Sequence, residues 1–187
     1  MSLLGLTALA ALALAGCSNP AESAEPAPPA TSAPANPSTE VAPMFASDEE
    51  ALAAAEAAYR NYIAVSDQIA IDGGAGAERL EPFVSDELYR QQAQEYGDVL
   101  SQGLRATGAS TFDSFHLESY DPQSGVIRAY VCLRTSGITV LDSNSFDVTP
   151  VGRNNNLPLQ IVFFATGNLT GQVRVSSSDV WSGTNFC

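Results

Sequence analysis

The chain has 187 residues, 21 acidic side chains, eight arginines and no lysine, for a net charge of -13. That balance excludes the usual electrostatic binders of DNA, RNA or an anionic membrane surface, so no nucleic-acid partner is expected. With one histidine and three cysteines, it also leaves too few soft ligands for a zinc cluster, and neither a metal nor a cofactor is expected.

Residues 3–15 are almost wholly Leu, Ala and Gly. The run is too short to span a bilayer as a helix, which takes about 18 residues or more, and suits the apolar core of a signal peptide. It ends in Leu14-Ala15-Gly16-Cys17, which resembles a bacterial lipobox. The resemblance implies cleavage after Gly16, a signal peptide over 1–16, and a lipid attached to the Cys17 thiol. The segment Met1–Ser2 lacks the positive charge usual ahead of such a core. Residues 17–46 follow as a tether. Residues 18–46 hold seven of the eleven prolines, with Ala, Ser, Thr and Glu. Such a stretch buries too little apolar surface to offset its ordering entropy. The expected location is the outer, extracytoplasmic face of a cell membrane, held by membrane lipid through Cys17.

Residues 47–187 are long enough for one domain and too short for two. Ser47 with Glu50 three residues on forms a capping box. Leu52, Ala55, Tyr59, Tyr62, Ile63, Ser66, Ile69 and Ala70 then recur at helical spacing until Gly73-Gly74. Asp67 falls on this helix as a polar residue facing solvent or a second helix. Pro82 interrupts the next helical stretch. Ser85 caps a second helix with Leu88, Tyr89, Gln92, Tyr96, Val99 and Leu100 on one face, ending near Gly103.

Beyond Gly103 the pattern turns to strands. "STFDSFHLESYD" alternates loosely and places His116 with Phe112 and Tyr120. After a "PQSG" turn, "VIRAYVCLR" alternates cleanly. Ile127, Ala129, Val131 and Leu133 face one way, and Arg128, Tyr130, Cys132 and Arg134 the other. "ITVLDSNSFDVTP", "LPLQIVFFATG" and "GQVRVSSSDVWSGTNFC" supply the remaining strands. With Cys17 lipidated, Cys132 and Cys187 remain as an even pair in an exported chain, which reads as a disulfide. The loop it closes is worth ~4 kcal/mol in the chain-entropy picture, stapling the C-terminal strand to the middle of the sheet.

Helices first and antiparallel strands after give an α+β domain with the helices on one face of a curved sheet. That order resembles the cone of the nuclear transport factor 2-like superfamily, shared with ketosteroid isomerases and limonene epoxide hydrolases. A different cystatin-like helix-on-sheet module is the structural alternative. "AAYRNYIAVSDQIAIDGG", "FVSDELY", "TFDSF" and "VWSGTNFC" resemble a group of actinobacterial lipoproteins over most of residues 50–187. That resemblance implies a fold and a location, and no activity.

Two functions from different classes follow. The first is a non-catalytic accessory lipoprotein that binds an envelope protein, a glycan or a small apolar ligand. The second is a pocket enzyme of isomerase, dehydratase or hydrolase type. The second needs a base and oxyanion donors around one cavity, and its candidates are Tyr59, Tyr62, Asp113, His116 and Tyr130, with Asp67 behind them. Arg128 and Arg134 flank Cys132 and are candidate anion ligands or partners of internal carboxylates.

Overall fold

The computed structural model describes residues 43–166 and 172–187. The expected leader, the Cys17 lipidation site and nearly all of the tether lie outside the described residues. So do residues 167–171, which include the Asn-Leu-Thr sequence. No helix among the described residues is long and apolar enough to cross a membrane.

Helix α1 runs Asp48–Ile71. The Ser47 hydroxyl accepts from the Glu50 amide at 3.3 Å, and the Glu50 carboxylate accepts from the Ala46 amide at 2.8 Å. This closes the capping box one residue further back than usual. Ala51, Ala55, Tyr59, Tyr62 and Ile69 form the buried face. Gly73 and Gly74 end the helix at positive φ. At Gly74 a Cβ would stand 2.2 Å from the Tyr96 carbonyl oxygen, so only glycine lets α1 meet the next helix here.

A 3₁₀ turn at Ala77–Leu80 precedes Pro82. Helix α2 spans Asp86–Ser101, with the Ser85 hydroxyl accepting from the Leu88 amide at 3.2 Å. Only Leu88 is fully buried, and Leu100 stands 56% exposed. The α2 face thus covers the domain less completely than its spacing promises.

The strands are β1 (Arg105–Thr107), β2 (Thr111–Asp121), β3 (Val126–Arg134), β4 (Thr139–Leu141), β5 (Asn156–Ala165) and β6 (Val173–Val180). Four of them form one antiparallel sheet in the order β2-β3-β5-β6, and β1 pairs with β4 as a separate ribbon. The large sheet is open, with β2 and β6 as its edges, and is not closed into a cone. The chain at Phe83–Ser85 hydrogen-bonds to Val175 and covers part of the β6 edge.

The α+β architecture therefore holds: two helices pack on one face of an antiparallel sheet. The core between them gathers Tyr59, Ile69, Leu80, Ile127, Val131, Ile161, Phe163 and Val175, all at or near zero exposure. Phe45 also belongs to it. Composition assigns this residue to the tether, yet it is 7% exposed, meets Tyr120 edge-to-face at 5.7 Å, and donates from its amide to the Tyr120 hydroxyl oxygen at 3.1 Å. A single aromatic is enough to anchor the chain two residues before the helix cap.

Strand β2 departs from simple alternation twice. Its register against β3 shifts between Asp113 and His116 and again between Leu117 and Ser119. Ser114 sits at φ 53 in the first irregularity. Each bulge inserts one residue and turns the following side chains over. Phe112, opposite Leu133, and Tyr120, opposite Ile127, face the core. His116, opposite Tyr130, faces outward. The expectation that His116 shares a face with Phe112 and Tyr120 is corrected by these bulges, which the residue spacing does not show.

Candidate functional site

The sheet divides the sequence-derived candidates between two faces. Tyr59 and Tyr62 lie under α1 on the inner face. Tyr59 is wholly buried among Phe112, Phe115 and Phe163, with ring centroids 5.0, 5.9 and 6.5 Å away. Burial pushes its phenol pKa up, with smaller contributions from Tyr62 and Asp67. Asp113, His116 and Tyr130 lie on the outer face, where their Cα partners are Cys132, Tyr130 and His116. The five residues proposed for pocket chemistry are therefore not brought into one cavity.

Asp113 is exposed and ion-paired with Arg134. The hydrogen bond from Arg134 holds its carboxyl below the ordinary value, helped by Ser114. A general base near neutrality needs the opposite shift. Arg134 also donates to the Asn156 side-chain oxygen at 2.8 Å. Of the two arginines flanking Cys132, this one is thus an internal partner. Arg128 is exposed and makes no ion pair among the described residues.

The Cys132–Cys187 disulfide is present, with Cα atoms 5.4 Å apart. It fastens the tail beyond β6, rather than a strand, to the outer face of β3. Trp181 and Phe186 of that tail meet the Tyr130 ring edge-on at 4.9 and 5.8 Å. This small aromatic cluster covers the fully buried Cys132.

A further concavity lies where α1, α2 and one end of the sheet meet. It is a cleft of about 570 Å³, within the common size range of small-ligand sites. Its apolar wall comes from Ile63 and Ala70 of α1, Ala106 of β1, Leu133 of β3, Ile138 and Leu157. Its polar wall comes from Tyr62, Ser66 and Asp67 of α1 and Tyr96 of α2, with Arg153 at the loop side. A second groove of about 530 Å³ runs along the other flank of α1 beside Arg60 and Phe112. Ile63, Asp67 and Ser110 line both.

Asp67 is neither a solvated nor an interhelical residue. Its two carboxylate oxygens accept from the Ser110 amide at 2.7 Å and the Ser110 hydroxyl at 2.8 Å. This contact latches the β1–β2 loop to the helix and forms the shared wall of the two grooves. The same loop is pinned at Gly108, where a Cβ would stand 1.9 Å from the Gly137 carbonyl oxygen.

Arg153 is similarly engaged. It donates from Nε to Asn155 at 2.9 Å, and from Nη2 to the Thr135 and Ile138 carbonyls at 2.8 and 2.9 Å. Tyr96 donates to the Ser66 carbonyl at 3.2 Å, and the Tyr62 phenol oxygen accepts from the Gln92 amide. Burial pushes both phenols up, Tyr96 to about 12, so both are neutral across the physiological range. Among the described residues no group of three or more His, Cys, Asp or Glu converges as a metal site would require.

Sequence reasoning named Tyr62 but passed over Ser66, Gln92 and Arg153 as site residues. For Ser66 and Gln92 a clue exists, since both are polar residues on otherwise apolar helix faces. For Arg153, in a polar loop, none does. No protein family matches the chain, and no curated protein matches it. Among solved structures it is similar to the crystal structure of the intermembrane space region of the chloroplast protein ARC6. Identity is 10%, the match covers 71% of this chain and 97% of that one, and the TM-score is 0.51. A likeness at that identity speaks to the fold alone.

Proposed function

We propose that the chain is a lipid-anchored extracytoplasmic module of nuclear transport factor 2-like descent, akin to the actinobacterial lipoproteins its segments resemble. In this reading the domain binds a small apolar ligand in the cleft between α1, α2 and the sheet. The lipobox-like Leu14–Cys17, the Pro-rich tether and the disulfide support the location. The helix-on-sheet order and the likeness to the ARC6 region support the fold reading.

One observation carries the binding reading. The charged groups around the cleft are consumed by the fold, Asp67 by Ser110 and Arg153 by Asn155 and two carbonyls, while the apolar wall of Ile63, Ala70, Leu133, Ile138 and Leu157 remains open. A wall of that kind recognises hydrocarbon by burial, at about 25 cal/mol per Å² of apolar surface removed from water.

The test is a fluorescence titration of the purified protein with Nile red, an uncharged apolar dye. Saturable binding is expected, with Ala70→Trp abolishing it and Ala53→Trp, on the exposed face of α1, leaving it intact. Absence of saturable binding, or indifference to Ala70→Trp in a folded variant, would overturn the reading. The anchor is tested separately by mass spectrometry of membrane-extracted protein. An acylated Cys17 at the mature N-terminus is expected, and an internal, unmodified Cys17 would refute it.

A further inference from the structure

Helix α1 is built largely on alanine, at positions 51, 53, 54, 55, 57, 58, 64 and 70. Ser66 departs from that habit on the side that lines the cleft. Serine is a poorer helix former than alanine. Ser66 Oγ is sealed from solvent and has no hydrogen-bond partner among the described residues. The side-chain oxygen of Gln92 on α2 is in the same condition. A buried polar atom left in this state loses its hydration without compensation.

These two atoms sit with two phenols. The Tyr62 oxygen is hydrogen-bonded to the Gln92 side-chain amide. The Tyr96 proton is committed to the Ser66 carbonyl. The cluster therefore holds a donor and an acceptor on Ser66 without partners among the described residues, beside the Tyr62 phenol on the cleft wall. A hydroxyl, which both donates and accepts, complements such a set. One turn about χ1 carries Ser66 Oγ between staggered positions without moving the helix.

The charges argue for a neutral guest. Asp67 lies on the same wall, and Arg153 directs Nε and Nη2 at partners within the protein. A carboxylate entering the cleft would lose its hydration beside another carboxylate.

We propose that Tyr62 and Ser66 form the polar end of the site and recognise the single hydroxyl of an uncharged, otherwise apolar molecule, an aliphatic alcohol in its chemistry. Its hydrocarbon lies against Ile63, Ala70, Leu133, Ile138 and Leu157. The proposal rests on the cleft being a ligand site.

The experiment is displacement of Nile red from the purified protein by octan-1-ol, octane and octanoate. Octan-1-ol is expected to bind about tenfold more tightly than octane, the effect of one or two hydrogen bonds that rescue buried orphans. Octanoate is expected to bind more weakly than the alcohol. Ser66→Ala should bring the alcohol to within about twofold of octane while leaving octane unchanged. Tyr62→Phe provides a second variant that keeps the ring and should act in the same direction. Equal binding of alcohol and alkane, tighter binding of octanoate, or a preference that survives both substitutions would each overturn the alcohol assignment while the apolar site stands. Failure of every probe to displace the dye would remove the alcohol assignment, and failure of Nile red itself to bind would remove the ligand reading with it.

Discussion

Strand β3 presents two different surfaces from nine consecutive residues. Ile127, Ala129 and Val131 face α1 at zero exposure, together with Ile161 and Phe163 of β5. Arg128, Tyr130, Cys132 and Arg134 face the other way, toward no helix. The inner face is held by burial of apolar area alone. The outer face is held by a covalent link spanning 55 residues and by two rings packed on Tyr130. The contrast shows two ways to secure one sheet. A helix covers a whole face, whereas a short tail with little apolar area of its own needs a bond to remain in place.

Breaking each support should give different signatures. Phe163→Ala removes a fully buried ring that contacts Tyr59 and Phe115. It should cost about 3–5 kcal/mol in urea unfolding, with the loss shared by every probe of the fold. Cys187→Ser, or reduction of the native protein, should cost about 2–4 kcal/mol. Its distinguishing readout is local. Trp181 is the single tryptophan of the chain and stands on Tyr130. Its emission should shift to the red as the tail leaves, while far-UV circular dichroism keeps its native form in water. An unmoved emission would mean that the rings alone dock the tail.

These supports were not equally visible in the residues. The caps at Ser47 and Ser85, the helix stop at Gly73-Gly74 and the alternation of β3 are local properties, and the structure reproduces them. The Cys132–Cys187 pairing followed from export and an even count, without geometry. What stayed hidden depends on partners distant in sequence. The bulges of β2 exist only relative to β3, so His116 was placed on the wrong face. The strand expected in "ITVLDSNSFDVTP" exists as β4, but its partner β1 is three residues long, too short for a periodic signal, so the ribbon they form was not seen. Phe45 lies in a Pro-rich context and only its contact with Tyr120 reveals it as core. The cleft was legible only in part: Tyr62 stood out as an aromatic, whereas Ser66 and Gln92 acquire meaning only from contacts between α1 and α2.

The outer face should also carry an acid-sensitive component. Arg134 and Ser114 hold the Asp113 carboxyl below its ordinary value of 3.8. A carboxylate with a folded-state pKa below the unfolded one stabilises the fold above the unfolded value, and that contribution fades as pH falls through the folded one. Asp72 and Asp121 are lowered in the same direction, by Arg79 and by Ser124 as their leading causes. Urea midpoints should therefore decline as pH drops below about 4. Asp113→Asn should be less stable than the natural protein at neutral pH, and the gap should close in acid. A gap independent of pH would show that the ion pair contributes nothing measurable, as exposed pairs often do.

The smallest expected effect lies on the inner face and separates two orphaned hydroxyls. Tyr59 is fully buried, and its oxygen, like that of Ser66, has no partner among the described residues. The difference is surroundings. Tyr59 is enclosed by Phe112, Phe115 and Phe163, whereas Ser66 lines the cleft. Tyr59→Phe keeps the ring and deletes an unsatisfied group, so stability should hold or rise by up to about 1 kcal/mol, and octan-1-ol affinity should not change. Ser66→Ala should likewise spare stability but remove the preference for alcohol over alkane. If Tyr59→Phe also erased that preference, the polar end of the site would extend through the core to Tyr59. If only Ser66→Ala does so, the two orphans have different origins: one is the residue of packing an aromatic core, the other a group kept unpaired for a guest.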